Sequence, residues 1–371
     1  MLYYILLTTM FKFESKLCRG IKPYTAGEQP KDCNYIKLNT NENPYPPPPS
    51  VNEVIKNLDY KRLRLYPDNN CADLINALAE TENVSAENVF AGNGSDEVLA
   101  LCFPAFFDSE IVFADITYSF YKVFADLFKI KYRLIPLNDD FTININDYFN
   151  IKEQAIIIAN PNAPTGIALQ PEQIKSILDK NPDKLVIIDE AYVDFFGKSC
   201  VCLTKTYDNL LVVKTFSKSY SLAGIRCGYA VGNKELITAL NKIKDSFNSY
   251  PLDAVCQKVC VAALGDAEYH NEVISKIVKT REKFTAELKN IGFEVLPSDA
   301  NFVFAKHKPP RPCGAPLERG MGGKDLYLKL KDNKILVRHF DKPRITGFVR
   351  ITIGTDAEMG ELINKLIIDN R

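Results

Sequence analysis

The chain has 371 residues, 46% of them hydrophobic and 25% charged, the balance of a soluble globular protein with room for two or three domains. Its 46 basic residues equal its 46 acidic ones, so no bulk charge points to nucleic acid or a membrane surface. Ten cysteines without a C-x-x-C pair, and three histidines, give neither zinc spacing nor a disulfide framework. We therefore expect no metal, reduced thiols serving mostly as core and surface fillers, and a cytoplasmic protein.

Met1 to Met10 is apolar but lacks a basic start, and a bilayer span needs roughly 20 apolar residues. Residues 1–9 read as a non-essential extension. Pro46 to Pro49 form a run of four prolines, read as an extended connector between a polar N-terminal arm and the main body. The turn Gly92-Asn93-Gly94-Ser95-Asp96-Glu97 precedes an apolar helical run, Val98 to Phe107. A glycine-rich turn feeding a helix exposes N–H groups that suit a phosphate, and Ser95 also fits as the helix cap. Tyr118 in ITYSFY reads as a core aromatic or a platform for a flat ring.

Three β-branched-rich runs follow, at 155–159, 185–188 and 210–213. Each reads as a strand buried on both faces, in a parallel sheet under helices. Pro171 to Asp179 carries helical patterning between two of them. The runs lead at once into Asn160, into Asp189-Glu190 and into Thr215 to Lys218. Ligands in open α/β sheets bind outside the carboxyl ends of the strands, so these groups are expected to meet in one crevice. Asp189 in that position reads either as a helix cap or as the partner of a pyridine nitrogen. Tyr192 reads as a core tyrosine or as a donor to the ring's phenolic oxygen. An isolated Ser-Lys pair is normally a solvated surface feature. Lys218, however, follows a wholly apolar strand, and Arg226 lies eight residues on, past a turn through Ala223-Gly224. A Schiff-base lysine needs a partly desolvated amine, and a phosphate needs hydroxyl and guanidinium donors. The segment offers both.

After about Pro251 helical segments at 252–264 and 269–291 lead to short strands at 301–305, 335–338 and 349–353, the pattern of a smaller α/β domain. His307 to Gly323, rich in Pro, Gly and Arg, reads as an irregular insertion in it. Arg350 in VRITIG and Arg338 in ILVRHF sit among apolar neighbours and want anionic partners, either a substrate carboxylate or phosphate or a structural acid. The expected division is an arm, 1–40, joining the small domain; a large domain, 41–255; and a small C-terminal domain, 256–371, with the insertion at about 307–323.

Taken together, NENPYP (41–46), LYPD (65–68), GSDE (94–97), NPNAPTG (160–166), DEAY (189–192), Ser217-Lys218, LAGIRCG (222–228) and VRITIGT (349–355) resemble the histidinol-phosphate aminotransferases, a family of fold-type I aminotransferases. The likeness runs in order from about Arg19 to about Glu358, and IKPYTAGEQP and ILVRHF favour this family over general aromatic aminotransferases. It implies a large domain with a mostly parallel sheet between helices, a smaller α/β domain, and pyridoxal 5′-phosphate as cofactor. It implies transamination between L-histidinol phosphate and 2-oxoglutarate, a step of histidine biosynthesis. By the same resemblance Lys218 carries the cofactor and moves the proton, Asp189 pairs with the ring nitrogen, Tyr192 with the phenolic oxygen, and Tyr118 stacks on the ring. Ser95, Asp96, Ser217 and Arg226 surround the phosphate, joined by Tyr66 from a second subunit, so a homodimer is implied. Tyr24, Asn43, Arg338 and Arg350 form the substrate side. The family often has Asn before Pro-Thr-Gly where this chain has Ala163; Asn162 or Asn160 is expected to substitute. The loop at 311–323 is also longer than the family leads one to expect.

Other readings on the same scaffold are an aromatic amino acid aminotransferase and a phospho-amino-acid decarboxylase. A non-catalytic regulator that binds the cofactor needs a basic DNA-binding segment, and the arm before Asn39 is too short for one.

Overall fold

The structure is a computed structural model of the chain, and it describes residues 13–30, 35–308 and 321–368. The expected extension at 1–9 lies outside the described residues, as does most of the expected insertion, 309–320. The insertion's edges are regular: His307 ends the strand Phe302–His307, and Gly323 begins the helix Gly323–Asp332.

The three apolar runs form the strands Ala155–Ala159, Leu185–Asp189 and Leu210–Thr215. They run parallel, with Ala159, Asp189 and Val213 level across the sheet. The full sheet has seven strands, in the spatial order 89–92, 228–232, 210–215, 185–189, 155–159, 111–114, 132–135. Among the described strands, Gly228–Gly232 alone runs against the other six. Successive side chains of a strand point to opposite faces, and the packing follows. Ile156, Ile158, Val186, Ile188 and Val212 join one core with the helices Pro49–Lys56, Ala72–Glu82, Pro171–Asp179 and Ala254–Leu264. Ile157, Ile187, Leu211 and Val213 join another with the helices Gly94–Phe106, Phe120–Phe128 and Lys234–Phe247. Burying each such side chain is worth about 1.5–3 kcal/mol. This is the α/β architecture that unbroken apolar strands require.

A second, antiparallel sheet has the order 338–339, 349–352, 302–307, 293–295. The helices Ala267–Asn290, Gly323–Asp332 and Asp356–Ile368 close a separate core over it. The arm contributes Ile36–Lys37, which pairs in parallel with Ile335–Leu336.

Three expectations need correction. The proline run is not wholly a connector: Pro49 opens the helix Pro49–Lys56, a position where a missing N–H costs nothing. The strand expected at 335–338 splits between two sheets, because the arm claims Ile335–Leu336 while Arg338–His339 pairs with the Arg350 strand. The boundary at 255/256 cuts the helix Ala254–Leu264, whose Cys256, Val259, Cys260 and Ala263 belong to the large core.

Candidate active site

A cavity of about 300 Å³ opens at the carboxyl ends of the parallel strands. Lys218, Asp189, Tyr192, Tyr118, Ser95, Asp96, Ser217, Arg226, Tyr24, Arg338 and Arg350 all line it.

At one end lies a cradle of donors. The helix Gly94–Phe106 starts there; the side chain of its cap residue Asn93 turns to the Pro251 carbonyl and Glu97 takes the Asn93 N–H, so the N–H groups of the first turn are left for an anion. Ser95 is thus not the cap but lies within the first turn. Gly228 packs so closely that an added Cβ would lie 2.2 Å from the Ser95 nitrogen. Arg226, held at φ +60°, sends Nη1 to within 3.4 Å of Ser217 Oγ and Nη2 to within 3.5 Å of Asp96 Oδ2. Asp96 in turn accepts a 2.7 Å bond from the Tyr118 hydroxyl. Two hydroxyls, a guanidinium and a helix start can together hold a doubly charged phosphate.

In the middle the flat walls face a buried acid. Asp189 is buried at its strand end, and Tyr121 donates a 2.6 Å hydrogen bond to its Oδ2. Burial pushes the Asp189 carboxyl up to about 6, while the Tyr121 bond works in the opposite direction. The other acid of the pair, Glu190, points away: it accepts from Ser199 Oγ and the Cys200 N–H. The Tyr192 hydroxyl accepts a 2.9 Å bond from Asn41 Nδ2, and its ring edge meets Phe302. Lys218 Nζ lies 5.7 Å from the centre of the Tyr192 ring and donates to the Thr40 carbonyl at 3.2 Å.

At the far end Arg350 is sandwiched between Phe302 and Phe340, 5.3 and 5.6 Å from their ring centres. One of its nitrogens donates to the Asn39 carbonyl; its Nε is buried and has no hydrogen-bond partner among the described residues. Burial pulls the guanidinium below its ordinary value. A dry cation with an unused donor is a place for an anion. Arg338, tethered to the Thr25 carbonyl, and Tyr24, packed on Phe120, stand beside it.

Four expected residues do not line the cavity. Asn160 closes a loop by exchanging bonds with the Leu169 backbone. Asn162 bonds Ile116, Thr165 and Thr117, so neither asparagine substitutes beside Ala163, which lines the wall with a methyl group. Asn43 instead holds the carbonyls of Lys218 and Ser219 and fixes the lysine's turn. Tyr66 is also away from the cavity, 82% exposed and stacked on Tyr250. Sequence reasoning missed Tyr121 and Asn41. Both sit in or beside recognisable motifs, but nothing local marks the contacts they make.

The family of class I and II aminotransferases matches residues 34–366, and the chain belongs to that family. Within it, a histidinol-phosphate aminotransferase from Brachyspira hyodysenteriae is 50% identical over 360 residues, 96% of this chain and 98% of that protein. One from Clostridium botulinum strain Okra is 49% identical over 359 residues, with the same shares. Among solved structures, the histidinol-phosphate aminotransferase of Sinorhizobium meliloti in complex with pyridoxal-5′-phosphate has a TM-score of 0.83 at 22% identity, covering 97% of this chain and 98% of that one. At that identity the likeness is one of fold.

Proposed function

We propose that this chain is a pyridoxal-phosphate aminotransferase that converts L-histidinol phosphate and 2-oxoglutarate into imidazole-acetol phosphate and glutamate, reversibly and in two half-reactions. The observation that carries the reading is one cavity walled by an amine, a buried carboxylate, a phosphate cradle and Arg350, whose Nε has no partner among the described residues. When bound, the cofactor supplies an electron sink for the carbon that bears the amino group. Lys218 holds the cofactor covalently and carries the proton between the two reacting carbons from its Nζ. Asp189 holds positive charge at the ring nitrogen, and Tyr121 orients that carboxylate. Tyr192, oriented by Asn41, donates to the phenolic oxygen, and Tyr118 forms the stacking wall. Ser95, Ser217 and Arg226 take the cofactor phosphate, with Asp96 fixing Arg226. Arg350 grips the dicarboxylate in one half-reaction and the substrate phosphate in the other, helped by Arg338 and Tyr24.

Tyr66 completes the phosphate site of a second copy, so the working unit is a homodimer in the cytoplasm. Its outward exposure and its stacking on the exposed Tyr250 support that role, since exposed aromatic surface marks an interface. We divide the chain into the arm, a large domain running on through Leu264, and a small C-terminal domain.

Lys218→Ala is expected to remove the visible absorbance of the lysine-bound cofactor and its borohydride-stable attachment; a band that persists at another lysine contradicts the assignment. Side-by-side kinetics decide the substrate. Histidinol phosphate is expected to exceed phenylalanine in kcat/KM, and the reverse order moves the enzyme to the aromatic aminotransferases.

A further inference from the structure

Behind the phosphate cradle lies a group of side chains that transamination does not use. The sulfurs of Cys227, Cys256 and Cys260 all lie within 4.8 Å of one another. The three residues are 0%, 1% and 0% exposed. Cys256 and Cys260 stand one turn apart on the helix Ala254–Leu264, and a four-residue spacing puts both on one face. Cys227 faces them from the residue before the strand Gly228–Gly232. Its carbonyl accepts bonds from the Phe216 N–H and from Thr215 Oγ1, so its backbone is fixed. Three sulfurs on one pyramidal centre, with bonds of about 2.3 Å and angles of about 100°, stand about 3.5 Å apart, within reach of side-chain rotations here.

We propose that Cys227, Cys256 and Cys260 form a three-thiol site for a trivalent thiophilic centre, for which arsenous acid is the simplest probe. Charge selects the class. Three thiolates around a monovalent ion carry two negative charges, and around a divalent ion one; around a trivalent centre they carry none. The surroundings are apolar core, where net charge is costly. The Asp253 carboxylate caps the same helix, accepting from the Val255 and Cys256 N–H groups at 2.8 Å, and further disfavours a negative complex. A structural zinc site also wants a fourth ligand, and the group holds three among the described residues. The step balances without redox chemistry. Each thiol gives its hydrogen to one hydroxyl of arsenous acid, three sulfur–arsenic bonds replace three oxygen–arsenic bonds, and three waters leave. A filled site ties the helix to the segment that carries Arg226.

The test uses the reduced, cofactor-loaded full chain, incubated with arsenite and then desalted. One arsenic per chain is expected, with three sulfur neighbours and no oxygen by X-ray absorption. Removing the exposed thiols, together with the two outside the described residues (Cys18→Ser, Cys33→Ser, Cys202→Ser, Cys313→Ser), is expected to leave retention unchanged. Cys256→Ala and Cys260→Ala are each expected to abolish it. Retention that vanishes with the exposed thiols, an oxygen-containing shell, or zinc held at equal occupancy overturns the proposal. The absorption spectrum is read on the unmodified chain, so its outcome does not depend on the variants folding.

Discussion

Burial pushes the Asp189 carboxyl from 3.8 up to about 6, which has two consequences at the residue scale. Between those values the folded chain holds a proton that the unfolded chain has released. Stability of the cofactor-free protein therefore falls as pH rises through that window, by up to about 3 kcal/mol above it. Asp189→Asn is expected to raise the urea midpoint of the cofactor-free protein above the window and to leave it unchanged below; an equal shift at both ends contradicts the argument. Glu190, pushed up to about 7, contributes in the same sense. The second consequence concerns Tyr121, whose hydroxyl is the donor that favours the charged carboxylate. A hydrogen bond to a charged group is worth about 1.5–3 kcal/mol. Tyr121→Phe is therefore expected to weaken cofactor binding at least about tenfold by that measure, and to move the pH dependence of the bound cofactor's absorbance. Equilibrium dialysis and a spectral titration read both effects, and an unchanged titration would assign Tyr121 to packing alone.

At the scale of elements, the strand Leu210–Thr215 is tied to its surroundings by charge as well as by apolar contact. Lys214, buried near its end, lies 2.7 Å from Glu82 on the helix Ala72–Glu82 and 3.7 Å from Asp194. Asp194 also accepts a short bond from Ser219 Oγ, next to Lys218. Lys214→Met leaves two half-buried acids without their buried cation, and breaking a buried pair costs up to about 3–5 kcal/mol. Chemical denaturation is expected to show that loss, whereas Lys175→Met, removing the exposed pair with Asp179, is expected to change nothing measurable. The expected strands at 155–159, 185–188 and 210–213 match the observed ones closely. Their signal is a run of apolar residues long enough to demand burial on two faces. The strand expected at 335–338 divides instead, because its pairing with the arm lies some three hundred residues away in sequence, where no periodicity reaches.

For the whole molecule the main prediction concerns assembly. Tyr66 stacks on Tyr250, joining two exposed segments into one aromatic surface outside its own chain's cavity lining. Under the proposed homodimer, each cavity draws its lysine from one chain and Tyr66 from the other. A hybrid of a Lys218→Ala chain with a Tyr66→Ala chain is then expected to regain one intact site, detectable as restored cofactor absorbance and turnover in the mixed dimer. Hybrids no better than the Tyr66→Ala homodimer contradict the shared site.

The apolar runs, the glycine-rich helix start and the order of the motifs were enough to determine the α/β class, the family likeness and most of the cavity wall, because burial demand and turn chemistry are written in neighbouring residues. Tertiary structure alone decided which polar side chains turn inward. Asn160, Asn162 and Asn43 became loop fasteners, and Tyr121 and Asn41 became partners of Asp189 and Tyr192. A side chain's hydrogen-bond partner is chosen by what folding brings alongside it, and that choice leaves no mark in the local pattern.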